Sequence, residues 1–285
     1  VASTGVIGRY MEMDLVSALF ERARSRLRSD THAGAEAARA IMTTDTRVKE
    51  IAVEHRGLRV AGIVKGAGMI EPHLATMLCF LYTDACIPPA ELKMCLQDAV
   101  DESFNMLTVD GDTSTNDTVL ITATGSAEGR REDLQEALGY VCTELARMMA
   151  RDGEGATKLF ETVITGARSR DEARAAARAV ARSSLVKTAV YGADPNWGRI
   201  VCAVGYSGAD VDPDRITLSL EGGGMRVSLV EEGRILEGAL DAARAIMRGE
   251  EIRILVDLGL GQASARSFGC DLTHGYVDIN AKYTT

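Results

Sequence analysis

A threonine hydroxyl becomes a useful nucleophile only when a base stands ready to take its proton. Thr76 lies in "EPHLATMLCF", residues 71 to 80, where a polar stretch gives way to an apolar run. Inside an intact chain it reads as a buried strand threonine. A cut between Ala75 and Thr76 changes its chemistry. The free α-amine, with a pKa of about 7.7–8.0, is partly unprotonated near neutrality and can accept the hydroxyl proton. The same hydroxyl can attack the Ala75 carbonyl, so self-cleavage would generate its own nucleophile.

Other stretches supply what such a nucleophile needs. In "VASTGVIG", residues 1 to 8, Thr4 and Gly5 offer a hydroxyl and a backbone N–H to a developing oxyanion; taken alone, the segment is a small-residue turn. "MTTDT", residues 42 to 46, is a weak capping or turn signal. Lys65 of "VKGAG" suits an α-carboxylate. Glu154, between two glycines in "RDGEGATKLFE", suits an ammonium group or plain hydration. "TVDGDTSTNDTVLI", residues 108 to 121, does not match the calcium-loop spacing and reads as a hydrogen-bonded loop, either at a site or solvated. "GGG" at 222 to 224 lacks the strand–turn–helix setting of a dinucleotide site. No metal site and no cofactor is expected.

The elements that must hold these residues follow from periodicity. Residues 11 to 28 carry Leu15, Leu19, Ala23 and Leu27 on one helical face, opposite an arginine-rich one. A short helix at about 34 to 42 precedes two strands, "IAVEH" and "LRVAGIVKG", with Gly57 between them. "TMLCFLYTDA" reads as a buried strand and "PPAELKMCLQDAV" as a helix with Leu92, Leu96, Ala99 and Val100 inward. A strand at 118 to 124 follows. Helices come next at about 130 to 150, with Leu134, Leu138, Val141, Leu145 and Met148 inward, and at about 170 to 184. "ITLSLE", "MRVSLV", "EIRILVDLGL" and "YVDIN" read as strands, with a helix at about 234 to 248. Runs of helices and strands of this kind predict an α+β fold of stacked sheets with helical layers.

Composition excludes some partners. The net charge is −9, and the part from Thr76 onward carries 21 basic against 32 acidic residues, or −11. That balance disfavours nucleic acid and suits a small cationic or zwitterionic ligand. The six cysteines form no CxxC and sit among apolar neighbours, as reduced core cysteine in the cytoplasm does. With neither a signal peptide nor a run of about 18 apolar residues, a soluble protein away from the membrane is expected. The first residue is Val1, so a processed or shortened start is expected.

Taken in order, "ASTGVIG", "AIMTTDT", "KGAGMIEPHLATML", "TVDGDTSTNDTVLI", "DGEGATKLFE", "VKTAVYGADPNWGRIVCAVG" and "GCDLTHGYVDINAKYTT" resemble the ornithine acetyltransferase family, also called glutamate N-acetyltransferases, of arginine biosynthesis. The resemblance runs from residue 2 to residue 285. It implies a fold like that of N-terminal-nucleophile enzymes and self-cleavage between Ala75 and Thr76. Residues 1–75 would then end an α chain, and residues 76–285 would form a β chain in the same catalytic unit. It further implies Thr76 as nucleophile, Thr4 and Gly5 as the oxyanion pair, and substrate contacts from Thr44, Lys65, Thr76, Glu154, Asn280 and Thr285. The implied reaction moves acetyl from N2-acetyl-L-ornithine to L-glutamate, with acetyl-CoA as a second candidate donor and a higher oligomer of paired chains. Family members carry a substantial segment before "ASTGVIG", and Phe268 stands where tryptophan is frequent. An amidohydrolase or aminopeptidase with the same nucleophile is one alternative; an uncut amino-acid-binding relative is another.

Overall fold

Local signals account for most of the elements in the structure, a computed structural model that describes residues 2–71 and 77–282. Along the chain these are α1 (Met13–Arg24), α2 (Thr31–Ala40), β1 (Lys49–His55), β2 (Leu58–Lys65), β3 (Leu78–Ala85), α3 (Pro89–Asp101), β4 (Leu107–Thr108), β5 (Thr118–Ala127) and α4 (Arg131–Arg151). There follow β6 (Leu159–Ala167), α5 (Arg170–Arg182), α6 (Ser184–Tyr191), α7 (Trp197–Gly205), β7 (Thr217–Gly222) and β8 (Met225–Glu231). The remainder comprises β9 (Arg234–Ile235), α8 (Leu240–Met247), β10 (Glu251–Asp257), β11 (Ala263–Cys270) and α9 (His274–Lys282). Asp30 caps α2 by accepting the His32 and Ala33 N–H groups, and Ser169 caps α5 through the Glu172 N–H. Pro89 opens α3, where a missing N–H costs nothing. The β1–β2 hairpin turns on Arg56 and Gly57, both at positive φ, as a two-residue turn between twisted strands requires.

Two sheets result. The smaller has the order β1-β2-β3-β5, antiparallel except for the parallel β3–β5 pair. The larger has the order β4-β11-β6-β10-β7-β8-β9. Helix α4 lies between them, packed on β1 and β2 of one sheet and against β11 of the other, with α3 beside it. Neighbouring residues of β6 face opposite ways: Leu159 joins the core around α4, while Phe160 joins the core beneath α5, α7 and α8. The buried face of α5 is nearly all alanine (Ala173, Ala176, Ala177, Ala181), which lets the helix sit close on β6 and β11. Stacked sheets with helical layers are thus the architecture the patterning predicts.

Several elements depart from expectation. The apolar face of α1 is not core: Leu15 and Leu19 are exposed, no residue of the helix is buried, and Leu27, expected on the same face, lies exposed beyond the helix end. "YVDIN" belongs to helix α9 rather than to a strand; alternation over five residues fits either, and here it leaves Val277 and Ile279 exposed. On α3, Cys95 and Ala99 are the fully buried pair, with Leu92, Leu96 and Val100 packed at the margin. On α4, Met149 is fully buried and Met148 only partly. Strands β6 and β11 and helices α6 and α7 are additional. All six cysteines are free, four of them buried, while Cys86 and Cys202 are exposed. Among the described residues no helix is long and apolar enough to cross a membrane.

Candidate active site

At the α4 end of the smaller sheet, four chain segments are held together by buried charges. Lys49, on β1, is 1% exposed and donates to Asp45 across 2.6 Å and to Asp152 across 2.5 Å. Asp152 ends α4 and also accepts the Thr46 and Arg47 N–H groups and the Thr46 hydroxyl. Asp45 accepts the N–H groups of Thr43 at 3.0 Å and Gly66 at 2.7 Å. Burial works against the Asp45 carboxylate, but Lys49 and these N–H donors outweigh it and hold it below the usual range. The 42–46 loop, the end of β2 and the start of the Glu154 loop are therefore fixed relative to one another.

A pocket of about 400 Å³ opens beside this network, lined by Thr4, Gly5, Thr44, Lys65, Glu154 and Asn280 among others. All six are among the expected site residues, Thr44 and Asn280 through the family resemblance alone. Ala75, Thr76 and Thr285 lie outside the described residues, as does the cleavage step. Thr4 and Gly5 sit in the irregular segment before α1, and among the described residues neither the Thr4 hydroxyl nor the Gly5 N–H has a hydrogen-bond partner.

Lys65 closes β2 and is itself 1% exposed; its ammonium donates to Thr43 Oγ1 across 3.2 Å. Burial lowers its pKa, and Asp45, Asp117 and Glu154 act in the opposite sense. Among the described residues no carboxylate lies within salt-bridge distance of it, so it faces the pocket as a cation able to receive an anion.

Glu154 is placed by close backbone contacts. Its N–H donates to the Ala67 carbonyl across 2.8 Å, and a side chain at Gly68 would collide with its carboxylate. Gly155 has φ +70°, and a Cβ there would strike the Tyr276 backbone nitrogen. The approach brings α9 against the loop, reinforced by Thr273 Oγ1 donating to the Gly155 carbonyl across 2.6 Å. Tyr276 and Asn280, one turn apart, then share the pocket face of α9. Asn280 Nδ2 donates to Glu154 Oε2 across 2.8 Å.

The 108–116 loop forms the remaining wall. Asp110 accepts the Met69 N–H at 2.6 Å and the Ile70 N–H at 2.9 Å, though burial raises its pKa. Tyr276 leans toward Asp110, and burial together with that carboxylate pushes its hydroxyl up. Asp110, Tyr276 and the Asp45–Lys49–Asp152 triad are site features that patterning did not single out. The i, i+4 pair of Tyr276 and Asn280 was the available signal, hidden because the segment was read as a strand.

The fold and the pocket define a layered α/β protein whose site brings a lysine at the end of β2 and a glutamate in the loop after α4 to one pocket, with Asp110 and Asp112 also on its wall. The ArgJ family profile matches residues 1–285, and the chain belongs to that family. It is 52% identical over 294 residues to the glutamate N-acetyltransferase of Methanothermobacter thermautotrophicus, covering all of this chain and 73% of that one. The glutamate N-acetyltransferase of Methanosarcina acetivorans is 50% identical over 292 residues, covering all of this chain and 74% of its own. The arginine biosynthesis bifunctional protein of Archaeoglobus fulgidus is 50% identical over 286 residues, with the same coverage. The crystal structure of the corresponding bifunctional protein from Bacillus halodurans superposes with a TM-score of 0.67 at 40% identity, covering 72% of this chain and 98% of that one.

Proposed function

We propose that this member of the arginine-biosynthesis acetyltransferase family moves acetyl from N2-acetyl-L-ornithine to L-glutamate through an ester on Thr76. The observation that carries the reading is the convergence of Thr4, Gly5, Thr44, Lys65, Glu154 and Asn280, from both sides of residue 75, on one pocket. Its volume suits an amino-acid-sized ligand. Lys65 receives a carboxylate and Glu154 an ammonium group.

In maturation, Thr76 Oγ attacks the Ala75 carbonyl, the peptide C–N bond breaks, and water hydrolyses the resulting ester. In transfer, Oγ attacks the acetyl carbon while the Thr76 amine takes its proton, and Thr4 and Gly5 donate to the oxyanion. The acetyl–nitrogen bond then breaks, the ammonium proton passes to the departing ornithine amine, and acetyl-Thr76 remains. Glutamate's amine attacks the ester, and the proton returns to Oγ as the C–O bond breaks.

Two observations support a cut at residue 75. Strands β2 and β3 flank the step and are joined by an antiparallel ladder from Val60–Thr83 to Lys65–Leu78, so two chains would stay associated through the sheet. They share a core as well: Leu58, Val60 and Val64 pack with Leu81, Val141 and Leu145. The solved relative's chain is covered to 98% by 72% of this one, about 205 of 285 residues, and 76–285 contains 210. A separate chain starting at Thr76 has nearly that length.

Denaturing intact-mass analysis with N-terminal sequencing, followed by a transfer assay, tests the reading. It predicts two chains, one beginning Thr-Met-Leu-Cys, and glutamate-dependent acetyl transfer with ping-pong kinetics. Acetate released equally fast without glutamate would favour an amidohydrolase, and an intact chain that turns nothing over would favour a binding protein. Acetyl-CoA is carried through the same assay as the second donor. Association of the cut pairs into a higher oligomer, and a place in the cytoplasm, complete the proposal.

A further inference from the structure

Tyr276 stands among three carboxylates. Its hydroxyl lies 3.4 Å from Asp110 Oδ2, and its ring lines the same pocket as Asp112 and Glu154. Burial first, and then Asp110, Asp112 and Glu154, push the phenol up, so near neutrality it remains an uncharged O–H donor. That donor is barely engaged. The contact to Asp110 is long, and Asp110 Oδ2 already accepts the Met69 N–H at 2.6 Å, so turning the hydroxyl away strands no acceptor. Asn280, one turn along α9, has both amide N–H bonds committed, one to Glu154 Oε2 at 2.8 Å and one to the Tyr276 carbonyl at 3.1 Å.

The reaction sets this wall a contradictory task. N2-acetylornithine and glutamate both have an α-carboxylate, and each carries its charged side-chain atom the same number of bonds from Cα. With the α-carboxylate on Lys65, the ammonium of ornithine and the γ-carboxylate of glutamate reach the same wall. Asp110, Asp112 and Glu154 attract the first and repel the second. A site that takes both needs a donor there that draws an anion without driving off a cation, and an uncharged hydroxyl meets that condition.

Resting on the reading that acetylornithine and glutamate use this pocket in turn, we infer that Tyr276 determines specificity for the acceptor. Its hydroxyl leaves Asp110 and donates to the γ-carboxylate of glutamate, while Glu154 holds the ammonium of ornithine. No residue has to change its charge between the two half-reactions.

Competition between acceptors tests this. Wild type and Tyr276→Phe receive labelled N2-acetylornithine as donor, with glutamate offered beside norvaline, which has the same carbon chain and no side-chain charge. At low turnover the ratio of acetylated products reports relative kcat/KM and does not depend on how much of the enzyme is active. Tyr276→Phe should lower the preference for glutamate over norvaline roughly 10- to 150-fold, as loss of a hydrogen bond to a charged group does. The preference for isotope-labelled ornithine over norvaline should move far less, whereas a general disturbance of α9 would lower both together. An unchanged glutamate preference would overturn the inference, and so would equal losses for glutamate and ornithine. Should Tyr276→Phe yield no active enzyme, Tyr276→Leu goes through the same competition with the same outcomes. A wild type that transfers no acetyl to glutamate defeats the proposed function itself; a wild type that does so with the product ratio of Tyr276→Phe defeats only the role of Tyr276.

Discussion

Asn280 and Glu154, 126 residues apart in the chain, meet across 2.8 Å on one wall of the pocket, the amide of α9 donating to the carboxylate of a tight loop. The pairing orients Glu154 without neutralising it, so the negative charge stays available to a ligand.

Glu154→Gln keeps a side-chain oxygen for Asn280 and removes the charge. Loss of a charge-assisted contact, about 1.5–3 kcal/mol, should raise KM for acetylornithine roughly 10- to 150-fold with a smaller effect on kcat. N2-acetylnorvaline, which lacks the side-chain ammonium, should be used about equally by wild type and variant. Unequal use of that analogue would mean that Glu154 acts on something other than the ammonium.

Gly155 and Gly125 share φ +70° but differ in surroundings, since a Cβ at Gly125 meets nothing within 4 Å. Gly125→Ala should therefore show only backbone strain, about 1 kcal/mol in a denaturant titration. Gly155→Ala should cost more, about 2–4 kcal/mol, and should also raise KM by displacing α9 from Glu154. Equal losses at the two positions would contradict the close contact.

Lys49→Met leaves Asp45 and Asp152 as uncompensated buried anions. A loss of about 3–5 kcal/mol is expected, read as a lower denaturant midpoint. The exposed Glu21–Arg24 pair on α1 is the contrast, and Arg24→Ala should leave the midpoint unchanged. A mild Lys49→Met variant would show that the triad does not hold the site loops.

Asp117 makes stability depend on pH. In the intact chain burial raises its carboxyl from 3.8 to about 6. Between those values the folded state holds more proton than the unfolded one, so the contribution to stability falls as pH rises through the window and is fully lost above it. Asparagine does not titrate. In the uncut Thr76→Ala background, the advantage in Tm of Asp117→Asn should thus be larger at pH 7 than at pH 4; a constant difference would refute the shift.

How far the sequence could be read depended on the range of the interactions. The β1–β2 hairpin and α4 are written in local periodicity; Thr4, Gly5, Lys65 and Glu154 stand in short motifs whose chemistry can be read, while Thr44 and Asn280 follow only from the family resemblance. The unburied face of α1 was not legible, because amphipathic spacing states that a helix can be covered, not that anything covers it. Nor was α9, where five alternating residues fit both periods and the contact with Gly155 decides. The Asp45–Lys49–Asp152 triad spans more than a hundred residues, and no local pattern marks which charges meet across that distance.

The central claim is that acetyl rests on Thr76 between donor and acceptor. Enzyme mixed with N2-acetylornithine alone, quenched in acid and weighed under denaturing conditions, tests it most directly. The account predicts that the chain beginning at Thr76 gains one acetyl group, mapped to Thr76 by peptide fragmentation and removed when glutamate is added before the quench. An enzyme that transfers acetyl to glutamate at full rate while this chain never gains the group would contradict it.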